Sequence, residues 1–529
     1  MPTPQPPHPL SNPDDLLAQM TLEQKVGQVL LVCFNGTTLT PDLRAEIVGL
    51  DPGGVIFLDH NIESPAQLAQ LADDLQQAAR VNGSPALFIA IDQEGGTVTR
   101  LKDEKGFTEF PGAMAIAATG DAENARRIAR AMSAELRAVG INLDLAPDLD
   151  VNNNSQNPVI GTRSFGSDPT RVAEFGIAFI QAMQDAGIAA VGKHFPGHGD
   201  TALDSHHSLP KVPHDRARLE SVEFVPFRAA IKAQVAGIMS AHITFPAIDS
   251  TPGLPATLSR KVLTDLLRRE MQYDGLIMTD ELTMGAVATS GFPAPQAAAA
   301  ALAAGADMLL LQTGFGMHQQ VRQELIARVQ RGDIPRARLD DAVHRVLLAK
   351  ARFGILSGTD SRTPDRVGAP ETKSLAREIA AQSITLVRDD PGLVPIRLGA
   401  PILVVETRAF GLGKRLHAAT VLIAEQPTPN EIAAVVEAGK ETGAALVATS
   451  DVAKNRQQAE LVHALQQAHV PIIVIAMRSP YDTLYLKDAS TLLATYGAPP
   501  PTLDALIDIL TGKIKPQGRL PVHQMSSSA

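Results

Sequence analysis

Between Lys193 and Pro210 the chain reads KHFPGHGDTALDSHHSLP. Four of its fourteen histidines fall here, at 194, 198, 206 and 207, with Asp200 and Asp204 among them. Side chains of these types can bind a metal, move protons, or keep a loop in water. A metal set would draw on His194 and His198 with Asp200, Asp204 or His206. The H-x-x-x-H spacing puts two imidazoles on one face of a helix. Here Pro196 and Gly197 interrupt any such helix, so no metal is expected. Gly197, Gly199 and the turn-forming Asp200 read instead as a flexible loop. Within that loop, Asp204-Ser205-His206 sets a carboxylate two residues from an imidazole. A carboxylate bonded to one ring nitrogen fixes the tautomer and steadies the imidazolium. The other nitrogen is then free to give or take a proton near neutral pH.

Such a loop needs a scaffold, and the chain supplies a repeating one. Eight short apolar runs rich in Val, Ile and Leu occupy 26–34, 53–59, 86–92, 141–147, 188–194, 235–242, 275–281 and 306–312. Each fits a strand buried on both faces. Helical patterns lie between them. The stretch 64–81 opens with Ser64 as N-cap and Pro65 at the first helical position, and 168–187 starts on Asp-Pro and stops at a glycine. Helices over 259–271 and 293–305 follow. Strand and helix repeated eight times predict a (β/α)8 TIM-like barrel, with a doubly wound open sheet as the alternative.

In such a barrel, function collects where strands end. Strand three runs into Asp92-Gln93-Glu94, strand four into Asp148 and Asp150, and strand five into Lys193-His194. Strand six ends at His242, and strand seven runs into Thr279-Asp280-Glu281. One carboxylate at a strand end is often just a helix cap. Five charged strand ends on one rim imply a shared pocket.

The 529 residues exceed one compact core, so more than one domain is expected. The boundaries read as a disordered tip over 1–12, a barrel over 13–353, a Gly/Ser/Pro/Asp-rich linker over 354–382 and a smaller α/β sandwich over 383–529. Strands in the last are expected at 383–389, 400–407, 444–451, 470–477 and 490–497 in a largely parallel sheet, with a helix over 456–469. Lys plus Arg total 47 against 57 for Asp plus Glu, a net charge of −10. That balance, with no basic cluster, argues against nucleic acid as a partner. The single cysteine, Cys33, forbids an intramolecular disulfide. No 18-residue apolar run suggests a membrane span, and the proline-rich N-terminus lacks a secretory pattern. A cytoplasmic location is expected.

The quoted loop closely resembles the signature of the family 3 glycoside hydrolases that act as β-N-acetylglucosaminidases. IDQEGGTVTRL (91–101), NPVIGTRSFGSDP (157–169), GIMSAHITFP (237–246) and LIMTDELTMGAV (276–287) resemble that family's other blocks, in order. The ending PQGRLPV (516–522) is similar to two-domain members. The resemblance implies a retaining exo-glycosidase that releases terminal non-reducing N-acetylglucosamine from muropeptide or chitin-type glycans. It implies Asp280 as the nucleophile, His206 as acid/base and Asp204 as its partner carboxylate. It implies that Asp92, Arg100, Arg163, Lys193 and His194 hold the sugar hydroxyls, and that neither cofactor nor metal takes part. Asp148 departs from the family's usual apolar residue, and Asp148 and Asp150 stay open as subsite residues.

Four alternatives remain. In a substrate-assisted mechanism, adjacent Asp280 and Glu281 would divide the work, although neighbouring strand residues point to opposite faces. A histidine in place of the usual second carboxylate leaves no extra negative charge beside Asp280, which would let phosphate intercept the glycosyl-enzyme. A β-glucosidase or β-xylosidase of the same family would take its acid/base from the second domain. The last alternative is a sugar-binding scaffold without activity. The expected partner is a carbohydrate, and neither an oligomeric state nor a role for the second region follows from the residues.

Overall fold

The architecture was taken from a computed structural model that describes residues 12–205, 207–357, 362–397, 399–407 and 410–522. Eight short parallel strands form the first sheet: β1 Leu30–Val32, β2 Gly54–Phe57, β3 Phe88–Ile91, β4 Leu143–Asp144, β5 Ala189–Phe195, β6 Gly237–Ser240, β7 Leu276–Thr279 and β8 Leu309–Leu311. Each expected run holds one, with β5 reaching one residue past its run to Phe195. They pair in the order β7-β6-β5-β4-β3-β2-β1-β8. A parallel bridge between Met278 and Met308 joins the two ends, so the sheet curls into a nearly closed barrel.

Side chains alternate along these strands as the period of two requires. Leu31, Ile56, Phe88, Leu143, Val191, Met278 and Leu310 point into one core that fills the barrel. Their neighbours Leu30, Val32, Val55, Phe57, Ile89 and Ile91 join a second core under the surrounding helices. Both faces are dry, which is why the strands read as unbroken apolar runs. The helix caps follow the sequence. Ser64 accepts from Gln67 N at the head of Pro65–Ala79, and Asp168 accepts from Thr170 N and Arg171 N at the head of Pro169–Asp185. The stretch read as 259–271 is a π-helical segment, Lys261–Glu270.

The second sheet holds β9 Thr385–Asp389, β10 Ile402–Glu406, β11 Ala419–Leu422, β12 Ala444–Thr449, β13 Ile472–Ala476 and β14 Thr491–Ala494. Its order is β11-β10-β12-β13-β14-β9, parallel except for β9 against β14. Separate apolar cores cover its two faces, giving an α/β sandwich. Edge strand β11 was not among the expected strands. It is four residues long and mostly exposed, so no buried run marks it. The stretch expected as linker carries a helix, Pro370–Ser383, whose Ala376, Ile379 and Ala380 are buried.

Sheet two is fastened to the barrel near the mouth. The Tyr481 hydroxyl donates to the Asn152 carbonyl oxygen and accepts from Asn152 Nδ2 at 3.2 Å. Met114, Ala115 and Ala118 pack with Tyr481, Ala494 and Tyr496 in a small apolar cluster. No helix among the described residues is long and apolar enough to cross a membrane.

Candidate active site

The C-terminal ends of β3, β4, β5 and β7 bring most of the expected residues to one place. Glu94 is its electrostatic centre. The Arg163 guanidinium donates to both Glu94 carboxylate oxygens, from Nε at 2.9 Å and from Nη2 at 2.8 Å. Lys193 Nζ lies 2.7 Å from Glu94 Oε1 and 2.9 Å from Asp92 Oδ1. Arg100 reaches the same group from the rim, with Nη2 3.7 Å from Asp92 and Nη1 2.8 Å from Asp59. Side-chain exposure falls from 29% at Arg100 through 14% at Asp92 to 3% at Lys193 and Glu94. The wet end is therefore Arg100 and Asp92. Burial would raise the Glu94 carboxyl's pKa, but the two adjacent cations hold it well below the usual range. Those anions likewise keep Arg163 and Lys193 firmly charged despite burial.

His194 is held differently. Its Nδ1 lies 2.7 Å from Asp150 Oδ2, and Arg163 Nη2 lies 3.3 Å from Nε2. Burial, with the Arg163 charge behind it, pushes the imidazole down to about 3. A neutral ring with Asp150 below it carries its proton on Nδ1, and Nε2 is the acceptor. Asp150 also accepts from the backbone N–H groups of His194 and His198. Its oxygens are fully engaged beneath His194, so Asp150 is a buried support and not a sugar ligand. Asp148 is buried beside it. Its Oδ1 accepts from Asp150 N at 2.9 Å, and Oδ2 has no hydrogen-bond partner. Burial and then the Asp150 charge raise the Asp148 pKa well above the ordinary carboxylate range. The open reading of Asp148 and Asp150 as subsite residues is therefore corrected: both are buried behind Arg163, Lys193 and His194. Ligand atoms of Asp148, Asp150 and His194 lie within 4.8 Å of one another. Arg163 Nε stands 3.8 Å from Asp148, however, and fills the cationic role there.

Asp280 follows the last residue of β7 and accepts from Glu281 N at 2.8 Å. Burial raises its pKa, but His242, His194, the Glu281 N–H and Lys193 outweigh burial and keep it below the usual value. The N–H and the ammonium act whatever the histidines' protonation. Because β7 ends at Thr279, strand alternation does not govern residues 280 and 281. Their roles separate for another reason: the Glu281 carboxylate accepts from Thr283 N at 2.9 Å, Thr283 Oγ1 at 2.7 Å and Gln312 N at 3.2 Å.

The loop after β5 is less free than its glycines suggested. A Cβ on Gly199 would lie 1.9 Å from the Val151 carbonyl oxygen, and one on Gly197 would meet Glu223 at 2.9 Å. Both glycines permit close packing, which corrects their reading as marks of a flexible loop. Asn157 Nδ2 donates to the carbonyls of His198 and Gly199, and Ala286 N donates to Ser205 O at 3.2 Å. Asp204 accepts from His207 N and Ser208 N through its backbone carbonyl. His206 lies outside the described residues. Sequence reasoning missed Glu94 as the shared acceptor, although it stands two residues after Asp92. It also missed Asp59, although this residue ends the second apolar run and so carried the same strand-end signal as Asp92.

A cavity of about 370 Å³ lies between residues 155–162 on the barrel and Asp451, Lys454, Arg478 and Tyr481 on the second sheet.

Comparisons with known proteins follow this geometry. The sequence model described as Glycosyl hydrolase family 3 N terminal domain matches residues 21–349. The beta-hexosaminidase A of Pseudoalteromonas piscicida is 32% identical, with 95% of this chain and 97% of that one aligned. The beta-N-acetylglucosaminidase/beta-glucosidase of Cellulomonas fimi is also 32% identical, over 96% and 94% of the two chains. The solved family 3 beta-N-acetylglucosaminidase from Paenibacillus sp. strain FPU-7 superposes with a TM-score of 0.87 at 40% identity, covering 95% of this chain and 99% of that one.

Proposed function

The chain belongs to glycosyl hydrolase family 3, and from that membership we infer that it is a β-N-acetylglucosaminidase, a glycosidase that releases N-acetylglucosamine. We further propose a retaining double displacement with the following roles. Asp280 attacks the anomeric carbon. The pair Asp204 and His206 protonates the leaving oxygen and then deprotonates the incoming water. Asp92, Arg100, Arg163, Lys193 and His194 bind the hydroxyls of the terminal sugar. We also propose residues 13–353 as the catalytic barrel and 383–529 as a second domain that braces it through Tyr481.

One observation carries this reading: the Asp280 carboxylate is kept ionised at the mouth of the barrel while its neighbour Glu281 is spent on Thr283 and Gln312. A nucleophile must be ionised, and the substrate-assisted alternative needs both carboxylates available. The roles of Asp204 and His206 rest on the D-S-H sequence. Hydrolysis of muropeptide or chitin-type fragments inside the cytoplasm is the proposed physiological setting, and it rests on the sequence resemblance.

The test is covalent trapping. A fluorosugar analogue of an aryl N-acetylglucosaminide slows the second displacement, and peptide mapping should find the label on Asp280. A label elsewhere, or none while turnover is blocked, removes Asp280 from the role. Running the reaction in phosphate and in a non-nucleophilic buffer separates hydrolysis from phosphorolysis by the appearance of sugar 1-phosphate. The name of the Cellulomonas fimi relative includes β-glucosidase, so the paired β-glucoside belongs in the same assay.

A further inference from the structure

His198 is buried, and no role above uses its side chain. Its ring touches two hydroxyls of its own loop: Nδ1 lies 2.9 Å from Thr201 Oγ1 and Nε2 lies 3.0 Å from Ser205 Oγ. The Thr201 hydroxyl donates its single hydrogen to the His198 carbonyl oxygen at 3.2 Å. With that hydrogen on the carbonyl, Thr201 Oγ1 accepts from the ring and the ring proton sits on Nδ1. Nε2 is left with a lone pair, and Ser205 Oγ–H donates to it. Burial supports a single ring proton, holding the imidazole down to about 3, with His194 as the next cause. The backbone under this ring is fixed as well. His198 N donates to Asp150 Oδ1, and the carbonyls of His198 and Gly199 accept from Asn157 Nδ2.

Ser205 is thus gripped twice. Its hydroxyl is held by His198, and its carbonyl by Ala286 N on the segment that continues from Asp280. Ser205 is also the residue between Asp204 and His206. Two hydrogen bonds therefore link Asp150, beneath His194, through His198 to Ser205. Rigid support of this kind sets how often a catalytic group occupies its working geometry.

We propose that His198 is a positioning residue for proton transfer: acting through the Ser205 hydroxyl, it fixes Asp204 and Ser205 relative to the segment that carries Asp280. His198 touches neither substrate nor reacting atoms in this role. The inference rests on the assignment of proton transfer to Asp204 and His206.

Leaving-group dependence tests it. A dinitrophenolate departs without a proton, whereas an alkyl or sugar alkoxide needs one. Loss of acid positioning therefore slows the second kind selectively, and general damage to the barrel slows both. Ser205→Ala removes only the hydroxyl that bonds Nε2, and His198→Phe keeps the ring volume without its nitrogens. In each variant, kcat/KM for N-acetylglucosaminyl disaccharide should fall about tenfold, the rate equivalent of one hydrogen bond. With 2,4-dinitrophenyl N-acetylglucosaminide the fall should stay under twofold in the first turnover. Added azide, which needs no general base, should restore steady-state turnover of that aryl substrate. Parallel losses on both substrates, or no loss on either, overturns the proposal. Ser205→Ala decides the matter if His198→Phe does not fold. If wild-type protein turns over neither substrate, the proposed function fails first. If Asp204→Asn shows no leaving-group selectivity, the assignment of the turn fails independently of the link from His198 to Ser205.

Discussion

Glu94 offers the sharpest test of how the charged groups at the barrel mouth are held. It is 5% exposed and receives two hydrogen bonds from Arg163 and one from Lys193, all between 2.7 and 2.9 Å. Replacing Arg163 by Met strands a buried carboxylate on one cation. Two unit charges about 4 Å apart interact by about 4 kcal/mol at an effective dielectric of about 20. Mutational precedent for breaking one side of a buried pair is about 3–5 kcal/mol. For a cooperative unit of about 330 residues, the unfolding entropy is about 0.7 kcal/mol per degree, so Tm should fall by about 4–7 °C. Removing both partners, as in Arg163→Met with Glu94→Leu, also removes the stranded charge. That double variant should recover to within about 2 °C of wild type, since Lys193 keeps Asp92 at 2.9 Å. Activity should not recover, because Arg163, a proposed sugar ligand, is still missing. Scanning calorimetry of the four proteins and kcat/KM on an aryl N-acetylglucosaminide give both readouts. A single variant within about 1.5 °C of wild type, or a double variant that adds the two single losses, would refute the idea that Glu94 is a committed buried anion.

Two further outcomes concern buried titratable groups. Lys350 packs under the barrel, its Nζ 2.8 Å from Gln28 Oε1 and 5.6 Å from the Phe88 ring centre, and burial lowers its pKa to about 7. Between pH 7 and about 10.5 the unfolded chain binds a proton that the folded chain does not, so this group makes stability rise with pH by up to about 1.4 kcal/mol per unit. The penalty is complete below pH 7. Lys350→Met should flatten that rise, measured as Tm at pH 7, 8 and 9, and parallel curves would contradict it. Asp148 has the opposite sign: its pKa is raised, so as pH climbs above about 3.8 the unfolded chain sheds a proton that the folded chain keeps, and stability falls. Asp148→Asn keeps the acceptor for Asp150 N and loses the titration. Its Tm should gain on wild type as pH goes from 4 to 7, and a variant less stable than wild type at pH 7 would count against a protonated Asp148.

The barrel was legible because each of its strands is buried on both faces, so Leu30–Val32 or Leu276–Thr279 marks itself by composition alone. Helix caps at Ser64 and Asp168 were equally local, since a cap is a bond between residues two or three apart. The exposed edge strand Ala419–Leu422 escaped for the converse reason. For the site, the sequence determined which groups stand at strand ends, because the eightfold repeat fixes where strands stop. It could not determine what those groups do to one another. That Asp150 supports His194 from below, that Glu94 is shared by Arg163 and Lys193, and that His198 reaches Ser205 are decided by packing between segments far apart in the chain. Asp92, Glu94, Asp148 and Asp150 look alike as letters. Only packing puts the first at the wet rim, the second between Arg163 and Lys193, the third buried behind them and the fourth under His194. Desolvation and Coulomb energies depend on three-dimensional distance, which the order of residues does not contain.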